Sequence, residues 1–125
     1  MGKRVMIAMV SVATLAGSGM AASPKTDPLA RGKALFDYHC AACHGSGIGN
    51  PGETMKPGTA ALAAKYGGTL PARLEDRTDL TPETVAFFVR NGATVMAPYR
   101  KTEVSDADLA AIGAYLARGK AARRR

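Results

Sequence analysis

The stretch "DYHCAACHGSG", Asp37 to Gly47, contains both cysteines and both histidines of a chain of 125 residues. These four side chains fall in one short window, from His39 to His44. Thiolates and imidazoles are metal ligands and redox-active or titratable groups. The window could therefore be a disulfide, a zinc site, a thiol redox centre or a point of haem attachment.

The spacing of the window favours haem. Cys40 and Cys43 are separated as C-x-x-C and His44 follows directly. A structural zinc site needs four ligands, and no second Cys or His cluster exists in the sequence. A thioredoxin-like centre expects a βαβ pattern, which we do not find, and a disulfide here would close a very short loop and leave His44 without a role. C-x-x-C-H is the attachment signature of c-type haem.

Haem chemistry explains this spacing. The two thiols add to the two vinyl groups on one edge of a haem. A separation of three residues within a helical turn places both sulfur atoms on that edge. The next residue then places its imidazole under the iron. The sequence predicts one covalent haem c, with Cys40 and Cys43 as thioether attachments and His44 as an axial iron ligand.

A low-spin haem needs a second axial ligand, for which Met96, Met55 and His39 are the candidates. His39 precedes His44 on the same helix and cannot easily reach the opposite face of the haem. Met55 lies in the segment that must wrap the side of His44. Met96 lies far enough along the chain, in a loop, to reach the other face, and a thioether raises the reduction potential. We predict Met96 as the ligand.

An axial histidine usually donates its other ring N–H to a nearby acceptor. The carbonyl of Pro57 is our candidate for that acceptor of the His44 N–H, and Pro51 is the second candidate. Both prolines lie in the Gly- and Pro-rich segment 45–58, which we expect to be a loop.

The ends of the chain differ from its centre. Residues 1–22 follow the pattern of a cleaved secretory signal peptide. Lys3 and Arg4 are its basic start, an apolar run follows, and small residues lead up to Ala22. We expect one haem-binding domain at 23–117 and a basic, disordered tail at 118–125. Residues 22–117 carry ten basic and ten acidic side chains, so the tail holds the mature net charge of +5. Such a distribution does not form a nucleic-acid face. The signal-peptide pattern predicts export to the periplasm, where the protein would be soluble after cleavage.

The central region reads as all-α. Asp27-Pro28 starts a helix to about Cys43, with Leu29, Gly32, Leu35, Phe36 and Cys40 as its buried stripe. A short helix in "TAALAAKY" has Thr59 as its candidate cap and ends at Gly67-Gly68. After an irregular segment, a third helix runs between Thr81-Pro82 and Asn91-Gly92, with Val85, Phe88 and Val89 on one face. Ser105 and Asp108 resemble a capping box for the last helix, which buries Leu109, Ile112, Tyr115 and Leu116.

These residues resemble the small monohaem cytochromes c with His/Met ligation, over residues 28–117. In that family, a glycine and an aromatic residue before the first haem cysteine pack against the C-terminal helix. Gly32 and Phe36 hold those places here, with Ile112 and Tyr115 as packing partners. The loop "NGATVMAPYR" looks like the family's methionine loop. The family often has Gly-Pro-x-Leu after the haem motif, where this chain has "KPGTAAL".

The resemblance implies a cytochrome c fold around one covalent haem and an electron carrier rather than an enzyme. Residues 61–103 are more narrowly similar to the cytochrome subunits of 4-cresol and eugenol hydroxylases. That similarity implies a flavoprotein dehydrogenase as donor, with a terminal oxidase or another cytochrome as acceptor. Arg100 and Lys101 would either steer an acidic partner to the haem edge or be ordinary surface charges. Two alternatives stay open: a peroxidase-like or gas-binding protein with an open sixth site, and an obligate subunit of a flavocytochrome.

Overall fold

A computed structural model describes the backbone of residues 27–122 and the side chains of residues 27–119. The signal peptide expected at 1–22 lies outside the described residues. Within them the chain forms five α-helices, α1 to α5, and one short 3-10 helix, with a core between α1, α4 and α5. In chain order the elements are α1 (Pro28–His39), α2 (Ala41–His44), α3 (Pro57–Tyr66), the 3-10 helix (Leu74–Asp76), α4 (Pro82–Asn91) and α5 (Asp106–Ala122).

The first helix begins as expected but ends early. The Asp27 side chain accepts a hydrogen bond from the Leu29 N–H at 3.0 Å, and Pro28 occupies the first turn. The helix stops at His39, and Cys40 joins α1 to the single turn of α2. The expected continuous helix to Cys43 is therefore wrong. Leu29 is also exposed rather than buried, because it lies in the first turn beyond the core.

The N- and C-terminal helices cross at Gly32, as predicted. A Cβ atom on Gly32 would clash with the Ala111 carbonyl oxygen and would lie 2.7 Å from the Tyr115 Cβ. Only glycine therefore allows this approach between the two backbones. One turn later, Phe36 is fully buried, with its ring centroid 5.9 Å from that of Tyr115. Ile112, which is also buried, belongs to the same cluster.

The middle helices correct two expectations. Helix α3 begins at Pro57, inside the segment 45–58 that we expected to be loop, and Lys56 rather than Thr59 is its N-cap residue. Thr59 is instead buried within α3, and Gly67 ends that helix in the left-handed conformation with φ 54°. The segment expected to be irregular contains the 3-10 helix.

Helix α4 has the expected ends. Thr81 caps it by accepting from the Thr84 N–H at 3.2 Å, and Gly92 ends it with φ 72°. Val85 and Val89 are buried, but Phe88 is 39% exposed, so the expected apolar face is only partly covered by protein.

The last helix is longer than expected. Ser105 Oγ accepts from the Asp108 N–H at 3.1 Å, and the four predicted apolar positions of α5 are buried. The helix continues to Ala122, past residue 117, so residues 118–122 are helical and not a disordered tail. The Arg118 side chain packs over the Tyr115 ring, with its guanidinium carbon 3.9 Å from the ring centroid. Residues 123–125 lie outside the described part.

The all-α fold class is confirmed. Over residues 27–122 no β-strand forms, and the extended pairing in this range is an isolated bridge between Ala93 and Met96. None of the helices in the described range is long and apolar enough to cross a membrane.

Candidate haem-attachment site

The two cysteines lie one helical turn apart, at the junction of α1 and α2. The Cys40 carbonyl accepts from the Cys43 N–H at 3.1 Å and from the His44 N–H at 2.8 Å. Residues three and four apart in such a turn share one face, so the motif presents its three functional side chains together. Both cysteines are free thiols; Cys43 is exposed and Cys40 is half-buried against the core.

The environment of Cys40 differs from that of a redox thiol. Burial raises the pKa of the Cys40 thiol to about 11, and neighbouring Cys43 adds to the rise. A thiol redox centre requires a lowered pKa, because the thiolate is the nucleophile. Across residues 27–122, no group of three or more His, Cys, Asp and Glu side chains is arranged to hold a metal ion.

His44 packs against the start of α3. A Cβ on Gly58 would lie 2.7 Å from Cε1 and 2.8 Å from Nδ1 of His44, so glycine at this position makes room for the ring. The neighbouring Thr59 hydroxyl donates to the Gly45 carbonyl at 3.4 Å, which fastens α3 to the end of α2. Burial lowers the pKa of His44 and favours the neutral imidazole, the form that binds metals.

The expected hydrogen bond from His44 to Pro57 is not formed. The Nδ1 atom of His44 is buried without a hydrogen-bond partner in the protein. Pro57 occupies the first turn of α3, and the residue against the ring is Gly58. The backup candidate, Pro51, is exposed in the preceding loop.

Met96 ends a tight turn after α4. Ala93 and Met96 exchange two backbone hydrogen bonds, of 3.0 Å and 2.8 Å. Within the turn Thr94 has φ 49°, a conformation that β-branched residues rarely adopt. Met96 is half-buried and packs against the same core as Cys40. Met55 is 40% exposed and lies two residues before α3, the helix that contacts His44.

Tyr99 connects the methionine loop with the haem motif. Its hydroxyl donates to the His39 carbonyl at 2.9 Å, directly before Cys40, and its ring contacts the His39 ring edge-on at 6.0 Å between centroids. The Tyr99 N–H donates to the Val89 carbonyl at 2.7 Å, and the Tyr99 carbonyl accepts from Arg90 at 3.0 Å. The loop is therefore tied to both α1 and α4.

Two basic residues beyond the loop are already paired within the chain. Arg100 contacts Glu103 at 3.0 Å, and Lys101 contacts Asp106 at 2.8 Å. Both cations remain well exposed, but acidic neighbours offset their charge. The geometry favours ordinary surface charge over a steering role for this pair.

The residues fit a covalent haem. The motif offers two free thiols on one turn and a half-buried imidazole whose Nδ1 atom is buried without a partner. The loop after α4 offers Met96 as the second candidate ligand. Sequence reasoning missed Gly58, Tyr99 and Arg90. The available signals were the glycine that follows Pro57 and the aromatic residue within a polar loop. Neither signal reveals which distant residue the side chain or backbone contacts.

Comparison with known proteins identifies relatives along most of the chain. The family model described as "Cytochrome C oxidase, cbb3-type, subunit III" matches residues 27–116, a span that contains the motif and Met96. A cytochrome c6 from Picosynechococcus sp. is 34% identical over 117 residues, which cover 94% of this chain and 93% of that protein. No solved structure matches the chain significantly.

Proposed function

The chain belongs to the c-type cytochrome family and holds a covalently bound haem c, and we propose that Cys40 and Cys43 attach this haem while His44 and Met96 ligate its iron. In this proposal the protein is an electron carrier of the periplasm, with no catalytic residue of its own. When bound, the haem supplies a one-electron couple at iron.

The observation that carries the proposal is the arrangement of the motif. Cys40, Cys43 and His44 share one helical turn, and the imidazole of His44 lies against Gly58 with its Nδ1 buried. Because the ring is confined in this way, its other nitrogen, Nε2, keeps a constant direction. The two thiols belong to the same helical turn as that ring, as attachment of a haem edge would require.

The second ligand is supported by the fixed position of the methionine loop. Met96 is half-buried beside the core, and its turn is closed by hydrogen bonds from both ends. A thioether held by a closed turn needs little rearrangement when the charge of the iron changes. Thioether ligation would favour a raised potential.

The cellular site and partners rest on sequence and on relatives. The signal pattern in residues 1–22 supports export to the periplasm. The matching family is described as a subunit of a cytochrome c oxidase, which supports a terminal oxidase as the electron acceptor, with another cytochrome as the other possibility. The narrower resemblance of residues 61–103 supports a flavoprotein dehydrogenase as donor. Pro57 remains our candidate acceptor for the His44 N–H in the haem-loaded protein.

The test is the visible spectrum of the ferric protein, produced in cells with haem-attachment machinery. We expect a low-spin spectrum with the weak far-red band of methionine–iron ligation. Met96→Ala should keep the covalent haem but lose that band and lower the potential. Cys40→Ala combined with Cys43→Ala should abolish covalent attachment.

Other outcomes would redirect the proposal. A high-spin spectrum of the unmodified protein would indicate an open sixth site and support a peroxidase-like or gas-binding function. Co-purification with a flavoprotein in constant ratio would indicate an obligate flavocytochrome subunit. An unchanged potential in Met96→Ala would exclude Met96 as a ligand.

A further inference from the structure

We propose that Tyr99 is a positioning residue for Met96. Its hydroxyl group ties the methionine loop to the end of α1, directly before Cys40, and thereby keeps Met96 on the iron. The inference rests on the proposed His44/Met96 ligation and extends it to a residue outside the motif. It derives from the contacts of Tyr99 with elements that approach the site from two sides.

The first step is the place of the hydrogen bond. His39 is the last residue of α1, where helical carbonyl groups have no partner within the helix. The Tyr99 hydroxyl donates to this carbonyl at 2.9 Å. The next residue is Cys40, so the bond is formed one residue from the first haem attachment.

The second step is the short connection to Met96. Only two residues, Ala97 and Pro98, lie between Met96 and Tyr99, and the turn between Ala93 and Met96 is closed by backbone hydrogen bonds. Movement of Tyr99 therefore moves Met96. The left-handed conformation of Thr94 is unfavourable for a β-branched residue, so contacts around the turn must hold it in place.

The third step is the support behind Tyr99. Arg90 donates from one nitrogen to the Tyr99 carbonyl at 3.0 Å and from another to the Val104 carbonyl at 2.9 Å. The same guanidinium contacts Asp106 at 2.9 Å. Arg90 thus fastens the loop to α4 and α5, while the Tyr99 side chain fastens it to α1, through the hydroxyl hydrogen bond and the edge-on contact with the His39 ring. Loss of the hydroxyl should leave the loop folded but weaken its attachment to α1.

The chain offers a matched control. Tyr38 neighbours His39 on the same helix, but it is 82% exposed. Tyr38→Phe removes the corresponding hydroxyl group from an exposed side chain, two residues before Cys40. Tyr99→Phe keeps the ring and its packing and removes only the hydrogen bond to His39.

The experiment measures competition for the iron in the ferric holoprotein. Imidazole binds where Met96 has left, so its apparent affinity rises with the fraction of molecules in which Met96 is released. Because a neutral hydrogen bond is lost, we expect Tyr99→Phe to raise this affinity about fivefold. Tyr38→Phe should leave the affinity unchanged. Loss of the far-red band on titration gives the same equilibrium independently.

Unfolding in urea separates positioning from general stability. A lower unfolding midpoint in Tyr99→Phe with unchanged imidazole affinity would overturn the proposal, since that result is what a purely structural contact produces. If Tyr99→Phe does not accumulate, Arg90→Lys tests the support behind Tyr99, because a single ammonium group cannot reproduce the guanidinium fork. It should also raise the imidazole affinity, and an unchanged affinity would overturn the proposal.

Failure of the underlying ligation is recognised separately. If the unmodified protein lacks the far-red band, Met96 is not a ligand and the inference falls with the proposed function. If the unmodified protein has the band and Tyr99→Phe binds imidazole with the same affinity as the unmodified protein, the ligation stands and the role of Tyr99 is refuted.

Discussion

Gly32→Ala tests the helix crossing on which the fold depends. The new Cβ would lie 2.7 Å from the Tyr115 Cβ and 2.9 Å from the Ala111 carbonyl carbon, whereas ordinary contact begins near 3.4 Å. It would also strike the Ala111 carbonyl oxygen. Because backbone atoms are involved, side-chain rotation cannot relieve the overlap, and α1 and α5 must separate.

Two opposing terms set the size of the effect. Alanine in place of glycine within a helix stabilises by about 1 kcal/mol. Overpacking of a well-packed contact costs up to about 3 kcal/mol, and a clash with backbone belongs at the upper end. We expect the free energy of unfolding to fall by about 2 kcal/mol, which lowers the melting temperature by about 10 °C in a domain of this size.

The assay is urea unfolding of the holoprotein, followed by far-ultraviolet circular dichroism. Gly113→Ala in α5 is the matched control, since its Cβ would lie 3.0 Å from the Pro82 Cα and 3.1 Å from the Pro82 Cβ. That milder overlap should largely cancel against the helix-propensity gain, for a net change of about zero. If Gly32→Ala destabilises no more than Gly113→Ala, the close-crossing argument is refuted.

Three further changes test other parts of the structure. Gly58→Ala would crowd Cε1 of His44 at 2.7 Å; we expect a loss of about 2 kcal/mol in urea unfolding of the holoprotein, and full stability would contradict the contact. Thr81→Ala removes the cap of α4 and should cost about 1 kcal/mol in thermal unfolding, whereas an unchanged melting temperature would show the cap to be unimportant. Burial and the hydrogen bond to Glu75 raise the pKa of Tyr115, so the folded chain keeps this proton to higher pH than the unfolded chain. The resulting stability is present below about pH 10 and is lost as the pH rises further. Tyr115→Phe should therefore show a shallower alkaline loss of stability in urea titrations at stepped pH, and an equal slope in both proteins would argue against this assignment.

Local signals predicted most of the helix ends and the chemistry of the motif. Asp27, Thr81 and Gly67 act through their own backbone neighbours, so their effects can be read from a few consecutive residues. The haem prediction depended on the spacing of two cysteines and the histidine that follows them, and it is confirmed by the family. The choice of Met96 as the second ligand remains a prediction.

Errors arose where a distant part of the chain decides the outcome. Thr59 has the side chain of a cap residue, but it is buried because α3 packs onto the end of α2. Phe88 follows the apolar period of α4, yet no element of the described chain fully covers it. Periodicity identifies a face of a helix but not the partner of that face.

The sequence by itself determined the all-α class and the covalent haem, because both depend on residue types at short spacing. It also determined the helix crossing at Gly32, through the resemblance to the small monohaem cytochromes c. Only the tertiary structure revealed that Gly58 lies on His44 and that Tyr99 joins the methionine loop to α1. Tyr99 and His39 lie 60 positions apart in the chain. A contact between such distant residues exists only after the helices have packed, and local pattern carries no record of it.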